Sequence, residues 1–369
     1  MGIKLVVEEM GGIRRFLYPM KVRLPAIYRR SIGKLAVAEA DGRLVPSHVA
    51  DTPTGVQCAF ALSMAPFETR ELNLVLAGSA PLATIPDPLM IEASEDGLVS
   101  KQDRVSFGIA RMGLLRSVVY DSTEHLAGPL SITLDGAPMA ASGDGLPIGL
   151  QSPVSNLSAE FGVAGEYTDL RPAKVSGETE IELTCCKSWI EVRHAVLNPQ
   201  PNSVLRFCLP LTVTSSIQTC DFGVGNGIYG KTQAGMAERV VWETDLSQAS
   251  IARYRVRTQL PSGELRTDFA GELRGPAEID SRLWLHWNEP TKALALAITR
   301  VSSGCERIAV RLGADGVIES EFLLGRTIAN PAQFGICYHF LNNIPPIAAA
   351  TNPASILAKP KVAIVRAVS

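Results

Sequence analysis

Four side chains in the last quarter of the chain have the types needed for proton transfer: His286, Glu289, Tyr338 and His339. Histidine is scarce, with five in 369 residues, and two of the five stand beside Asn, Glu or Tyr near the ends of alternating apolar stretches. An imidazole in such a place titrates near neutrality and can exchange a proton with a hydroxyl or a ring carbon. Glu289, just before Pro290, can orient an imidazole or act as the acid itself. His286 and Glu289 have opposite parity in an ideal strand, so they converge only if the turn begins at Asn288. A glycine-rich stretch, TCDFGVGNGIYGK at 219–231, adds Asp221, Asn226 and Tyr229 as candidate substrate contacts, and Trp284, Arg193 and His194 complete the set.

The element that must position the first of these is LWLHWNEPTKALALAITR, residues 283–300, which reads as two strands joined by a polar turn. Successive strand side chains emerge on opposite faces, so Leu283, Leu285 and Trp287 share one face and Trp284, His286 and Asn288 the other. The second arm repeats the split, with Leu294, Leu296 and Ile298 opposite Ala293, Ala295, Ala297 and Thr299. Core paired with core sets Trp284 and His286 beside a row of alanines, an indole next to open space of the kind that suits a sugar ring. A second packed layer over that face is the plainer account.

Residues 178–196 change parity. Ile181, Leu183 and Cys185 share one face, while Ile190, Val192, His194 and Val196 share a face of the other parity, so a bulge or break falls near residues 186–189. His194 then reads first as a hydrogen-bonded core histidine, and a cleft role for it or for Arg193 is the alternative. Gly225, Gly227 and Gly230 match GxGxxG, but dinucleotide binding needs those glycines between a parallel strand and a crossover helix, and that context is missing. A loop at the rim of a β-sandwich fits better.

Composition points the same way: 46% hydrophobic, 20% charged, with 31 Gly and 24 Pro punctuating short alternating segments and few windows of helical period, which predicts a mostly β chain. A net charge of −2 with both signs interspersed leaves no footprint for nucleic acid or an anionic membrane. The first residues lack an apolar run of signal-peptide length, no stretch is long enough to span a bilayer, and the expectation is a cytoplasmic protein. Seven cysteines without CxxC spacing read as small core residues rather than a disulfide or zinc framework. No metal and no cofactor is expected, and a homo-oligomer is compatible with the sequence.

Short strands fill residues 1–85, at 4–7, 15–24, 33–38, 56–63 and 70–75, with turn signals at Asp41-Gly42 and 51–53. The motifs RRFLYP at 14–19, VRLP at 22–25, ADGRLVPS at 40–47 and APFETR at 65–70 resemble the small N-terminal RIFT-type barrel of exo-rhamnogalacturonan-lyase-like proteins and other carbohydrate-active enzymes. After a Pro-rich linker at 77–91, the strand, glycine, strand pattern that ends near Asp135-Gly136 is similar to the opening of galactose-mutarotase-like supersandwich domains. These resemblances imply an all-β chain: a small β-barrel or sandwich at 1–85 and a large antiparallel β-supersandwich at 86–369.

No GxSxG, HExxH, P-loop or paired-carboxylate signature names a reaction. The reading is a carbohydrate-active enzyme that cleaves a glycosidic bond of an oligosaccharide, by polysaccharide-lyase-like β-elimination or by hydrolysis. Its catalytic candidates are His286, Glu289, Tyr338 and His339, and its substrate-binding candidates are Trp284, Asp221, Asn226, Tyr229, Arg193 and His194. A mutarotase-like or epimerase-like isomerase and a non-catalytic glycan-binding subunit are the alternatives.

Overall fold

A computed structural model describes residues 3–366 apart from 53–54, 78–82, 112, 142–148, 151–155, 168–174, 215–217, 226–227, 236, 249–250, 275–282, 291, 314 and 343–358. It is all-β, as the composition implies; among the described residues one 3-10 turn, Ala26–Ser31, is the only helical element. The bulk of the chain forms two antiparallel sheets packed face to face. The front sheet runs Ser158–Tyr167, Ser176–Thr184, Trp189–Leu197, Ala332–Asn342, Lys292–Arg300, Leu283–Asn288, Gln218–Gly225, Ile228–Ala234. The back sheet runs Ser131–Leu134, Val204–Pro210, Val317–Leu324, Cys305–Gly313, Arg239–Gln248, Ile251–Gln259, Leu265–Arg274. Between them lies a core in which Phe322 of the back sheet meets Phe334 of the front at 4.7 Å.

The small N-terminal unit has its own core, built from Leu5, Val7, Val37, Cys58, Phe60 and Leu72 among others. Its five-stranded sheet contains Ile3–Glu8, Leu35–Glu39 and Thr69–Leu76, and Arg15–Arg23, Ser47–Thr52 and Gly55–Met64 form a second sheet. The last strand, Lys361–Arg366, lies at the edge of this unit rather than of the large sandwich, pairing antiparallel with Ile3–Glu8. The first and last described strands are thus neighbours, and the expected split at residue 85 groups the final strand with the wrong sheet. The linker expected at 77–91 lies partly outside the described residues; Leu89 within it is buried and Met90–Ser94 is a strand.

Local chemistry explains the turns. Asp135 and Gly136 both take positive φ, 50° and 84°, joining Ser131–Leu134 to Ala137–Ala141 as a two-residue hairpin requires. The parity change at 186–189 is a break: Ser176–Thr184 and Trp189–Leu197 are hairpin partners, with Leu183 opposite Ile190 and Cys186 at φ 56° in the turn.

The hairpin Leu283–Asn288 with Lys292–Arg300 takes the expected register, Leu285 opposite Leu296 and His286 opposite Ala295. Its outer face is not open, however. Ala293, Ala295 and Ala297 are at most 1% exposed and Trp284 is 8% exposed, because this strand pair sits in mid-sheet and is buried on both sides. Trp284 packs with Ala297, Cys337 and Trp189, and its indole lies across Gly223, where an added Cβ would collide with Nε1. Trp284→Ala is therefore expected to cost about 3–5 kcal/mol and Leu285→Ala about 2–5 kcal/mol, both read as loss of urea-unfolding free energy. A Trp284 variant as stable as the parent would show that the indole is not packed.

Candidate functional site

The outer face of the front sheet is set by cross-strand rows. One runs Tyr229, Gly223, Trp284, Ala297, Cys337, Glu191, Glu182, Glu160 across eight strands. The next runs Lys231, Asp221, His286, Ala295, His339, Trp189. Asp221, His286, His339, Trp284 and Tyr229 therefore do share one face, as the strand parities require.

Their surroundings differ from what a proton-transfer site needs. His286 is fully buried, with Nδ1 3.0 Å from Asn288 Nδ2 and 3.7 Å from Asp221 Oδ2. Lys231 Nζ stands 3.8 Å from the same Asp221 carboxylate. His339 is 8% exposed and packs edge-on to Trp189 at 5.4 Å, and its pKa is depressed to about 3 by burial, reinforced by Lys187 and His286. Tyr338, next in sequence, points the opposite way into the core, so it is not brought to His339. Its hydroxyl is buried and its pKa is raised by burial. His194 also faces the core, bonded to Thr179 Oγ1 at 2.8 Å and Tyr167 Oη at 2.5 Å, and burial lowers its pKa to about 3. The core reading of His194 is thus the one the structure supports. Glu289 accepts the Thr214 N–H at 2.7 Å at the far end of the hairpin, near Lys292. Tyr229 is 73% exposed at the sheet edge, and Asn226 lies outside the described residues.

Space exists elsewhere on this face. A cleft of about 250 Å³ opens where the small unit meets the front sheet, lined by Tyr18, Lys21, Glu182, Trp189, Glu191 and Lys359. Tyr18 and Trp189 tilt against each other at 5.9 Å and 59°. Lys187 Nζ stands 5.0 Å over the Trp189 ring and donates to the Phe16 carbonyl at 2.7 Å. Burial lowers the pKa of Lys187 to about 8.

Three glutamates, Glu160, Glu182 and Glu191, are direct cross-strand partners beside this cleft, an arrangement that like charges oppose. Lys21 of the small unit answers it, reaching Glu182 at 2.7 Å and Glu160 at 3.5 Å. Arg193 adds a bond to Glu160 and a 3.5 Å contact to Glu182. Burial alone would raise the Glu182 carboxyl; Lys21 and Arg193 outweigh it and hold the group below its ordinary value. Arg193, selected from sequence as a cleft residue, thus stands beside the cleft as a carboxylate partner.

Sequence reasoning missed Tyr18, Lys21, Glu182, Trp189 and Glu191. One signal was present: with Ile190, Val192 and His194 inward, Trp189, Glu191 and Arg193 must share the outward face.

No family model and no curated protein matches the chain. Among solved structures, a protein in the glycosyl hydrolase family 38 from Enterococcus faecalis superposes with a TM-score of 0.58 at 9% identity, over 99% of this chain and 47% of that one. An alpha-mannosidase from Enterococcus faecalis V583 gives 0.56 at 10% identity, over 99% of this chain and 46% of that one. The likeness is one of fold, and the chain spans about half the length of each. No helix among the described residues is long and apolar enough to cross a membrane, and none of their His, Cys, Asp and Glu side chains form a metal-holding group.

The two most depressed imidazoles give a pH test. A folded pKa near 3 against 6.5 in the unfolded chain means the unfolded state binds more protons in between. Their contribution to stability is whole above about pH 6.5 and falls as pH drops toward 3, by about 1.4 kcal/mol per pH unit for each residue. Urea melts at pH 7 and pH 5 should show this loss, and the His194 and His339 ring protons should show no titration down to about pH 4. A midpoint near 6.5 for either ring would mean that it reaches solvent.

Proposed function

We propose that this protein is carbohydrate-active and that the cleft between the small β unit and the front sheet is its saccharide site. The observation that carries the reading is the Tyr18–Trp189 aromatic pair lining a cleft beside Glu182 and Glu191. A pyranose offers a face of C–H groups and a rim of hydroxyls; an aromatic wall with a few fixed polar groups complements both. Fold similarity to two glycosidase structures favours this class of ligand over others of similar size.

Within that reading, hydrolysis is a better fit than β-elimination. Elimination at a uronic acid calls for an accessible base, and His286 and His339 are sealed. Hydrolysis calls for two carboxylates at close range. Glu182 and Glu191 are cross-strand partners lining one cleft, and Glu182, held ionised by Lys21 and Arg193, has the charge state of a nucleophile or base. A non-catalytic glycan-binding role uses the same wall with no turnover.

Calorimetric titration against a panel of neutral, acidic and amino oligosaccharides tests the site. At least one class should bind, and Trp189→Ala should weaken it by about tenfold or more while leaving the circular dichroism unchanged. Binding that survives Trp189→Ala would move the site elsewhere. New reducing ends would indicate hydrolysis, ultraviolet absorbance of an unsaturated uronate would indicate elimination, and binding without either would indicate the glycan-binding role.

A further inference from the structure

The polar groups of the cleft divide into those already satisfied and those left open. Lys21 and Arg193 are committed to Glu160 and Glu182. Glu191 is different. Its side chain is 18% exposed, and the cation facing it is Lys359 Nζ at 3.7 Å, beyond hydrogen-bond reach, on a side chain that is itself 60% exposed. An exposed pairing of this kind contributes little and is easily exchanged for another cation.

Tyr18 is 6% exposed and lines the same cleft, its ring tilted against Trp189. Tyr18, Glu182 and Glu191 line this one cleft. Thr299, also among its lining residues, supplies a second, independent sign: its buried hydroxyl oxygen lacks a partner among the described residues. Buried polar groups are as a rule satisfied by protein, water or ligand. Here Glu191, a carboxylate, only accepts, and the Thr299 hydroxyl can donate or accept, so the group that Glu191 calls for is a donor. The rings of Trp189 and Tyr18 add two π faces, which attract positive charge, as the position of Lys187 over both already shows.

We infer that the cleft selects a saccharide bearing a protonated amine, whose ammonium is taken by Glu191 in place of Lys359, with the Tyr18 hydroxyl on a neighbouring sugar oxygen. This rests on the cleft being the saccharide site and adds which sugar it prefers. A charge-assisted bond from an ammonium to a partly buried carboxylate is stronger than the neutral bond an N-acetyl or hydroxyl group offers. That difference corresponds to about tenfold in affinity.

The test uses the full chain and calorimetric titration at pH 6 with glucosamine oligomers, their N-acetylated counterparts of equal length, and neutral glucose oligomers. The free-amine series should bind about tenfold tighter than the other two. Glu191→Gln, which keeps the side chain's shape, should bring all three to a common affinity. Lys359→Ala should leave the preference intact or increase it. Equal or tighter binding of the N-acetylated or neutral series by the parent protein would overturn the amine preference and leave the saccharide site standing. A preference that persists in a folded Glu191→Gln would overturn the role of Glu191. Absence of binding by all three series and by the acidic oligosaccharides would remove both the preference and the site.

Discussion

Three glutamates in one row on adjacent strands oppose the pairing of those strands unless cations stand between them. Two of the cations come from elsewhere in the chain: Lys359 faces Glu191, and Lys21, from Arg15–Arg23 of the small unit, is placed between Glu160 and Glu182. The pairing is only partly exposed, so it is screened less than a surface pair, and removing one partner would leave charge stranded beside an apolar sheet. Docking of the small unit is thereby tied to the charge balance of the front sheet. The same contact creates the cleft, since Tyr18 and Lys21 lie on one strand and form its wall opposite Trp189 and Glu191.

A second constraint follows from covering the outer face of the front sheet. In the middle of that sheet the strands Leu283–Asn288 and Lys292–Arg300 are buried on both sides, which is why alanine recurs on one face and large apolar residues on the other. His339, on the neighbouring strand of the same face, loses water, and its neutral form is favoured. The cleft is formed farther along the same face, where Trp189, Glu191 and Arg193 alternate on a strand whose other side, Ile190, Val192 and His194, is core. A neutral, sealed imidazole and a hydrated, ion-paired carboxylate thus occupy one sheet a few strands apart, and solvent access separates their chemistry.

The alternation of 283–300 was enough to assign its register and its core face, because a period of two leaves one way to bury Leu285, Leu296 and Trp287 together. The turn chemistry of Asp135-Gly136, the parity break before Trp189 and the all-β class were legible for the same reason: each follows from local backbone geometry. Whether the opposite face met water was not legible. Period two says that Trp284 and His286 share a side, and nothing in it says what covers that side.

The cleft was decided by tertiary structure alone. Tyr18, Lys21, Glu182, Trp189, Glu191 and Lys359 are spread over most of the chain, and they meet because the strand after Lys359 pairs with the first strand while the small unit lies against the front sheet. Histidine drew attention in the sequence because its ordinary pKa suits proton transfer, yet burial removes that property from His194 and His339 and leaves no trace in the neighbouring letters. What the sequence determined is each strand's inward and outward sets, a local consequence of backbone geometry. Which outward sets face each other across a gap depends on contacts between residues more than a hundred positions apart, as between Lys21 and Glu182, and only the folded chain makes them.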